Sequence, residues 1–138
     1  MAAVQNPYAK YTNNAIFTAT QEELTLMLYE GALKFANQAL AAIENKDFAK
    51  TSELIIRVED IIREFQFTLN RSYEISGNFA ALYEYMHRRL IEANLTKDAE
   101  IVTEVRDMLR EFRDMWKEAM RIAKQQSGGT SVRMNADT

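Results

Sequence analysis

At 138 residues and 47% hydrophobic content, the chain fits one domain with an ample core. Four Gly and one Pro argue against a loop-rich or all-β protein, and with no Cys there is no disulfide and no thiolate chemistry. A net charge of −3 from interspersed signs leaves no basic tract for nucleic acid, and no uncharged run nears the ~20 residues that span a membrane.

Residues 1–19 carry no helical repeat and read as an N-terminal arm. Pro7 sets an extended or turn-like entry. Pro7, Tyr8, Tyr11, Ile16 and Phe17 form a candidate cap that docks on whatever follows. Thr20-Gln21-Glu22-Glu23 is a capping box, with acidic residues at the positive end of a helix dipole. The first helix is predicted over Gln21 to Glu44, with a core stripe of Leu24, Leu28, Ala32, Phe35, Ala39 and Ala42. Leu26, Leu33 and Leu40 make a second line, seven residues apart. Asn45-Lys46 ends the helix and Asp47 caps the next.

The second helix is predicted over Phe48 to Ile75, with Leu54, Val58, Ile61, Ile62, Phe65, Leu69 and Tyr73 inward. Ile56 and Phe67, eleven residues apart, share a direction on the other side. Ser76-Gly77-Asn78 is the expected break. The third helix, Phe79 to Leu95, buries Phe79, Leu82, Tyr83, Met86, Leu90 and Ala93. At about 26 Å it is the shortest, and should leave part of its neighbours' apolar faces uncovered. After a link at Thr96-Lys97-Asp98, the fourth helix runs to Gln126. Its core stripe is Val102, Val105, Leu109, Phe112, Trp116 and Met120. Beside it run Ile101, Met108, Met115 and Ile122, spaced by heptads like the seam of a helix that expects another. The two lines span roughly 160°, wider than the ~100° usual for a one-sided helix. Residues 127–138 read as a disordered tail.

Four helices with short links imply an all-α fold, an antiparallel up-down four-helix bundle over residues 20–126. His87 is the single histidine. Glu84 and His87 spell half of a di-metal signature whose second half cannot exist, and both are expected to point away from the core. A phosphotransfer histidine would be followed by small residues, whereas Arg88-Arg89-Leu90-Ile91 is bulky. No catalytic residue, metal site or cofactor is therefore expected. The surplus apolar faces point to binding, with Ile101, Met108, Met115, Ile122, Leu26, Leu33, Leu40, Ile56 and Phe67 as candidate groove residues. A phosphotransfer bundle using His87 and a homo-oligomeric helical adaptor remain as alternatives.

Asn6-Pro7-Tyr8, Tyr11, Glu22-Glu23-Leu24, Leu28-Tyr29-Glu30-Gly31-Ala32, Leu82-Tyr83-Glu84-Tyr85-Met86, Arg88-Arg89-Leu90, Ala93-Asn94 and Trp116-Lys117 stand in an order and spacing that resemble the flagellin-specific export chaperone family, usually called FliS. The resemblance runs from about Asn6 to Ala123. Gln21 departs from it where the family often has Pro, and His87 falls at a position that the family varies. The resemblance implies a cytoplasmic bundle that binds the disordered C-terminal segment of flagellin and prevents premature polymerisation. It further implies delivery of the subunit to the flagellar type III secretion apparatus, with export-gate components as further partners, and an arm that covers part of the flagellin site.

Overall fold

The computed structural model describes residues 19–68 and 74–137, with side chains for 19–68 and 78–126. The arm and its candidate cap, and the predicted stripe residues Leu69 and Tyr73, lie outside the described residues. Four helices follow one another: α1 (Gln21–Glu44), α2 (Phe48–Thr68), α3 (Glu74–Thr96) and α4 (Ala99–Asp137). Each packs against its chain neighbours and α1 closes the ring against α4, giving the expected antiparallel four-helix bundle.

The helix ends follow from local chemistry. The Thr20 hydroxyl accepts the Glu23 amide at 3.1 Å, and Glu22 and Glu23 occupy the first turn of α1. At its other end the Asp47 amide donates to the Ala42 carbonyl and Lys46 to Ile43, while Lys46 takes a left-handed φ of 58°. That is a Schellman close built on lysine where glycine is usual. Asp47 then caps α2, its carboxylate accepting from the Lys50 amide at 3.2 Å. Asp98 does the same for α4, accepting from the Glu100 amide at 2.9 Å.

Two boundaries differ from the sequence pattern. Ser76, Gly77 and Asn78 do not break the chain; they lie in the first turns of α3. A helical glycine costs only about 1 kcal/mol, and the packing that follows outweighs it: Phe79 and Tyr83 stack with each other, Tyr83 stacks on Phe65, and both meet Phe112 edge-on. The third helix is consequently not the short one, at 23 residues against 21 for α2, so it does not leave its neighbours bare by being short. The backbone of α4 also runs as helix to Asp137, beyond the Gln126 at which the sequence pattern ends the fourth helix. No proline stands in that stretch, and extending a helix is far easier than starting one.

The core has two textures. Toward the α2–α3 turn it is aromatic, from Tyr29, Phe65, Tyr83 and Phe112. Toward the other end, Ala32, Ala36, Ala39 and Ala42 bring the α1 backbone close, while Ile55, Leu90, Val102 and Val105 fill the space. Thr51 and Glu59 are the buried polar residues among those described.

Candidate functional site

Cross-helix polar contacts fix which flank of α4 faces which neighbour. Glu104 accepts from the Tyr85 hydroxyl and from Arg89 Nε, both at 2.8 Å, so its flank lies along α3. On the other flank Arg106 donates to Asn37 at 3.2 Å, and Trp116 Nε1 donates to the Glu22 carbonyl at 3.0 Å; this side lies along α1. The bond from Arg89, then that from Tyr85, holds the Glu104 carboxyl below the usual glutamate range. In return, donation to Glu104 pushes the Tyr85 hydroxyl up.

With the flanks assigned, the candidate groove residues separate. Met108, Met115 and Ile122 follow Glu104 at helical spacing, on the flank of α4 that carries its contacts to α3. Met108 is half-buried against the core, whereas Met115 is 52% and Ile122 40% exposed. Leu82, one turn before Tyr85 on the facing flank of α3, is 37% exposed. Periodicity placed Leu82 inside the core; only its register against α4 brings it to the seam. With Met108, the residues Leu82, Met115 and Ile122 make up the candidate strip: apolar side chains on matching flanks of α3 and α4, three of them exposed.

Ile101 and Leu33 do not belong to that strip. Both are core residues, 5% and 6% exposed, and offer a partner nothing in this conformation. Ile101 is enclosed because α3 extends beyond it, and Leu33 because α4 lies along that flank of α1. Leu40 is half-buried against the core. Leu26 instead lines a cleft of about 710 Å³ between α1 and α4, with Met120 and Ala123 as apolar neighbours and Lys117, Arg121 and Lys124 at its rim. A second cleft of about 630 Å³, between α1 and α2, is lined by Leu24, Met27, Leu28 and Ile61. Ile56, 46% exposed, and Phe67, 86% exposed, stand on the outer face of α2, on neither of these surfaces.

His87 departs from expectation. Glu84 is exposed as predicted, but His87 is half-buried and its Nε2 is buried without a hydrogen-bond partner among the described residues. The core stripe of α3 centres on Tyr83, Met86, Leu90 and Ala93, which turns Leu82 outward and His87 toward α2. A phosphoryl acceptor must offer a ring nitrogen to its donor, and the Nε2 of His87 is covered. Among the described residues, no three His, Cys, Asp or Glu side chains gather as a metal site would require, and no helix is long and apolar enough to cross a membrane.

The described residues thus define an antiparallel four-helix bundle with exposed apolar side chains, Leu82, Met115 and Ile122, on the flanks of α3 and α4. The chain matches the family described as Flagellar protein FliS over residues 4–123, and it belongs to that family. It is 45% identical over 128 residues to the flagellar secretion chaperone FliS of Bacillus subtilis, covering 93% of this chain and 96% of that one. Against the flagellar secretion chaperone FliS of Escherichia coli it is 33% identical, covering 78% and 81%. Against that of Salmonella typhimurium it is 31% identical, covering 76% and 80%.

Proposed function

We propose that this protein is a cytoplasmic, non-enzymatic chaperone that binds the disordered C-terminal segment of flagellin. Binding blocks premature polymerisation and supports delivery to the flagellar type III secretion apparatus and its export-gate components. The observation that carries the reading is the exposed Leu82, Met115 and Ile122 strip on a chain whose relatives are flagellar secretion chaperones. An export substrate held unfolded presents amphipathic segments that order on binding, and flexible methionines accommodate them. Calorimetry with a flagellin C-terminal peptide tests it: saturable binding near one peptide per chain is expected, and no heat at tens of micromolar would end the proposal.

The arm, residues 1–19, is proposed to compete with that partner through Tyr8, Tyr11, Ile16 and Phe17. Two apolar clefts flank the first turns of α1, where the arm joins the bundle at Thr20. Deleting Met1 to Ala15 is expected to tighten peptide binding and to lower the melting temperature of the free protein. Covering half of two such side chains is worth on the order of 1–3 kcal/mol. Loss of binding on truncation would make the arm part of the site instead.

A further inference from the structure

Midway along the α2–α3 seam, two titratable groups that nothing above uses face each other. Glu59 holds a core position of α2, four residues after Ile55 and three before Ile62, and is only 8% exposed. The Ser52–Asn94 hydrogen bond, one heptad away on each helix, sets the register that places His87 of α3 opposite it, and the His87 Nε2 is buried with no partner among the described residues. Burial raises the Glu59 carboxyl above the usual glutamate range; His87 opposes this most strongly, then Arg63, while Asp60 adds to the rise.

The surroundings supply no better partner. On α2, Asp60 and Arg63 pair with each other at 4.0 Å. On α3, Glu84 is exposed and the Arg88 guanidinium lies over the Tyr85 ring at 5.9 Å. Among the described residues, no charged group of α1 or α4 acts on Glu59. Ser52 and Asn94, hydrogen-bonded at 2.7 Å, are the next polar contact along the seam and do not titrate.

We propose that Glu59 and His87 form one proton-binding joint, which tightens the α2–α3 seam when the imidazole is charged and the carboxylate ionised. Histidines change charge between about pH 8 and 5, and carboxylates lose theirs lower. Because burial moves the loss at Glu59 upward, the attraction exists only in a window between the two. Above it, a buried carboxylate faces a neutral ring. Below it, an imidazolium faces a neutral acid. The seam is therefore firmest in mildly acid solution and looser on both sides.

His87 is the sole histidine, so its ring C–H resonances in a proton NMR titration need no assignment. In Glu59→Gln their midpoint is expected to move to lower pH by roughly half a unit or more, because a negative neighbour has been removed. Melting temperatures of the parent, Glu59→Gln, His87→Gln and the double variant give a second reading. At pH 6 the single effects are expected to miss additivity by about 3 °C, and at pH 8.5 to add. An unmoved midpoint, or additivity at both pH values, overturns the proposal. Should Glu59→Gln fail to fold, Glu59→Met, similar in length and without polar atoms, serves in the same two measurements.

Discussion

The two tyrosines at the centre of the aromatic core show how one atom pair can decide a residue's orientation. Tyr29 and Tyr83 meet hydroxyl to hydroxyl at 2.9 Å, joining the diagonal helices α1 and α3. Phe65 packs 4.4 Å from Tyr29 and 5.5 Å from Tyr83, centroid to centroid, and both tyrosines are buried. Burial pushes both above the ordinary tyrosine range, and neither ionises under working conditions. Each hydroxyl is the other's partner, so removing one alone costs more than removing both. Tyr83→Phe strands the Tyr29 hydroxyl and is expected to cost about 1–3 kcal/mol, whereas Tyr29→Phe with Tyr83→Phe should fall within about 1 kcal/mol of the parent. Urea unfolding of the three proteins checks this; a double variant as weak as the sum of the singles would show that the pair is no pair. Helical periodicity alone favours Leu28 over Tyr29 for the core stripe. The choice between adjacent apolar residues rests on a partner 54 positions away, and no local pattern carries that information.

Among the helices, what could be read from sequence is what local chemistry decides. The Thr20 cap, the stop at Asn45-Lys46 and the link before Ala99 are all short-range and stand as expected. The break expected at Gly77 fails because a distant aromatic cluster outweighs a local glycine penalty. Lys46 and Lys97 close α1 and α3 with φ of 58° and 56°, in the left-handed region that disfavours a Cβ. Lys46 is exposed, and Lys46→Gly is expected to raise stability by about 0.5–1 kcal/mol. Lys97 differs because its Nζ bonds both the carbonyl and the side chain of Asn94. Lys97→Gly trades backbone relief for two lost bonds and should gain less; equal gains in thermal melts would show that those bonds contribute nothing. The α3–α4 pairing is acid-sensitive through Glu104. Its carboxyl is held low, so its contribution is complete above the ordinary glutamate value of about 4.3 and fades as pH falls through its own lower value. Glu104→Gln should therefore flatten the melting curve against pH below about 4 while lowering its plateau at neutral pH.

Across the whole molecule, the heptad line of α4 was legible as a pattern but not as a surface. A spacing of seven fixes direction on one helix and says nothing about what lies opposite. Ile101 is core, whereas Met115 and Ile122, two and three heptads on, are exposed. Leu26, Leu33 and Leu40 turn toward α4 from the other side, so the two lines never share one groove. The proposed partner site thus contracts to the α3–α4 seam, and this determines which substitutions can test it. Replacing Met108 with Glu would place a charge against the core and confuse binding with folding. Met115 and Ile122 avoid that confusion. Met115→Glu with Ile122→Glu should keep the helical spectrum and melt within a few degrees of the parent, as surface substitutions do. The same protein should lose roughly 2–4 kcal/mol of affinity for the flagellin peptide if both residues are anchors, with flagellin secretion falling in parallel. Ile56→Glu with Phe67→Glu is the matched control on the outer face of α2. If the α4 pair binds like the parent and the α2 pair does not, the partner lies across α2 and the seam is only a scar of helix packing. If both pairs weaken binding in a folded protein, the bound segment must reach two faces of the bundle. At 5–6 Å × √n for a flexible chain, on the order of five residues would be needed to link its two apolar stretches over one helix diameter of about 10–12 Å.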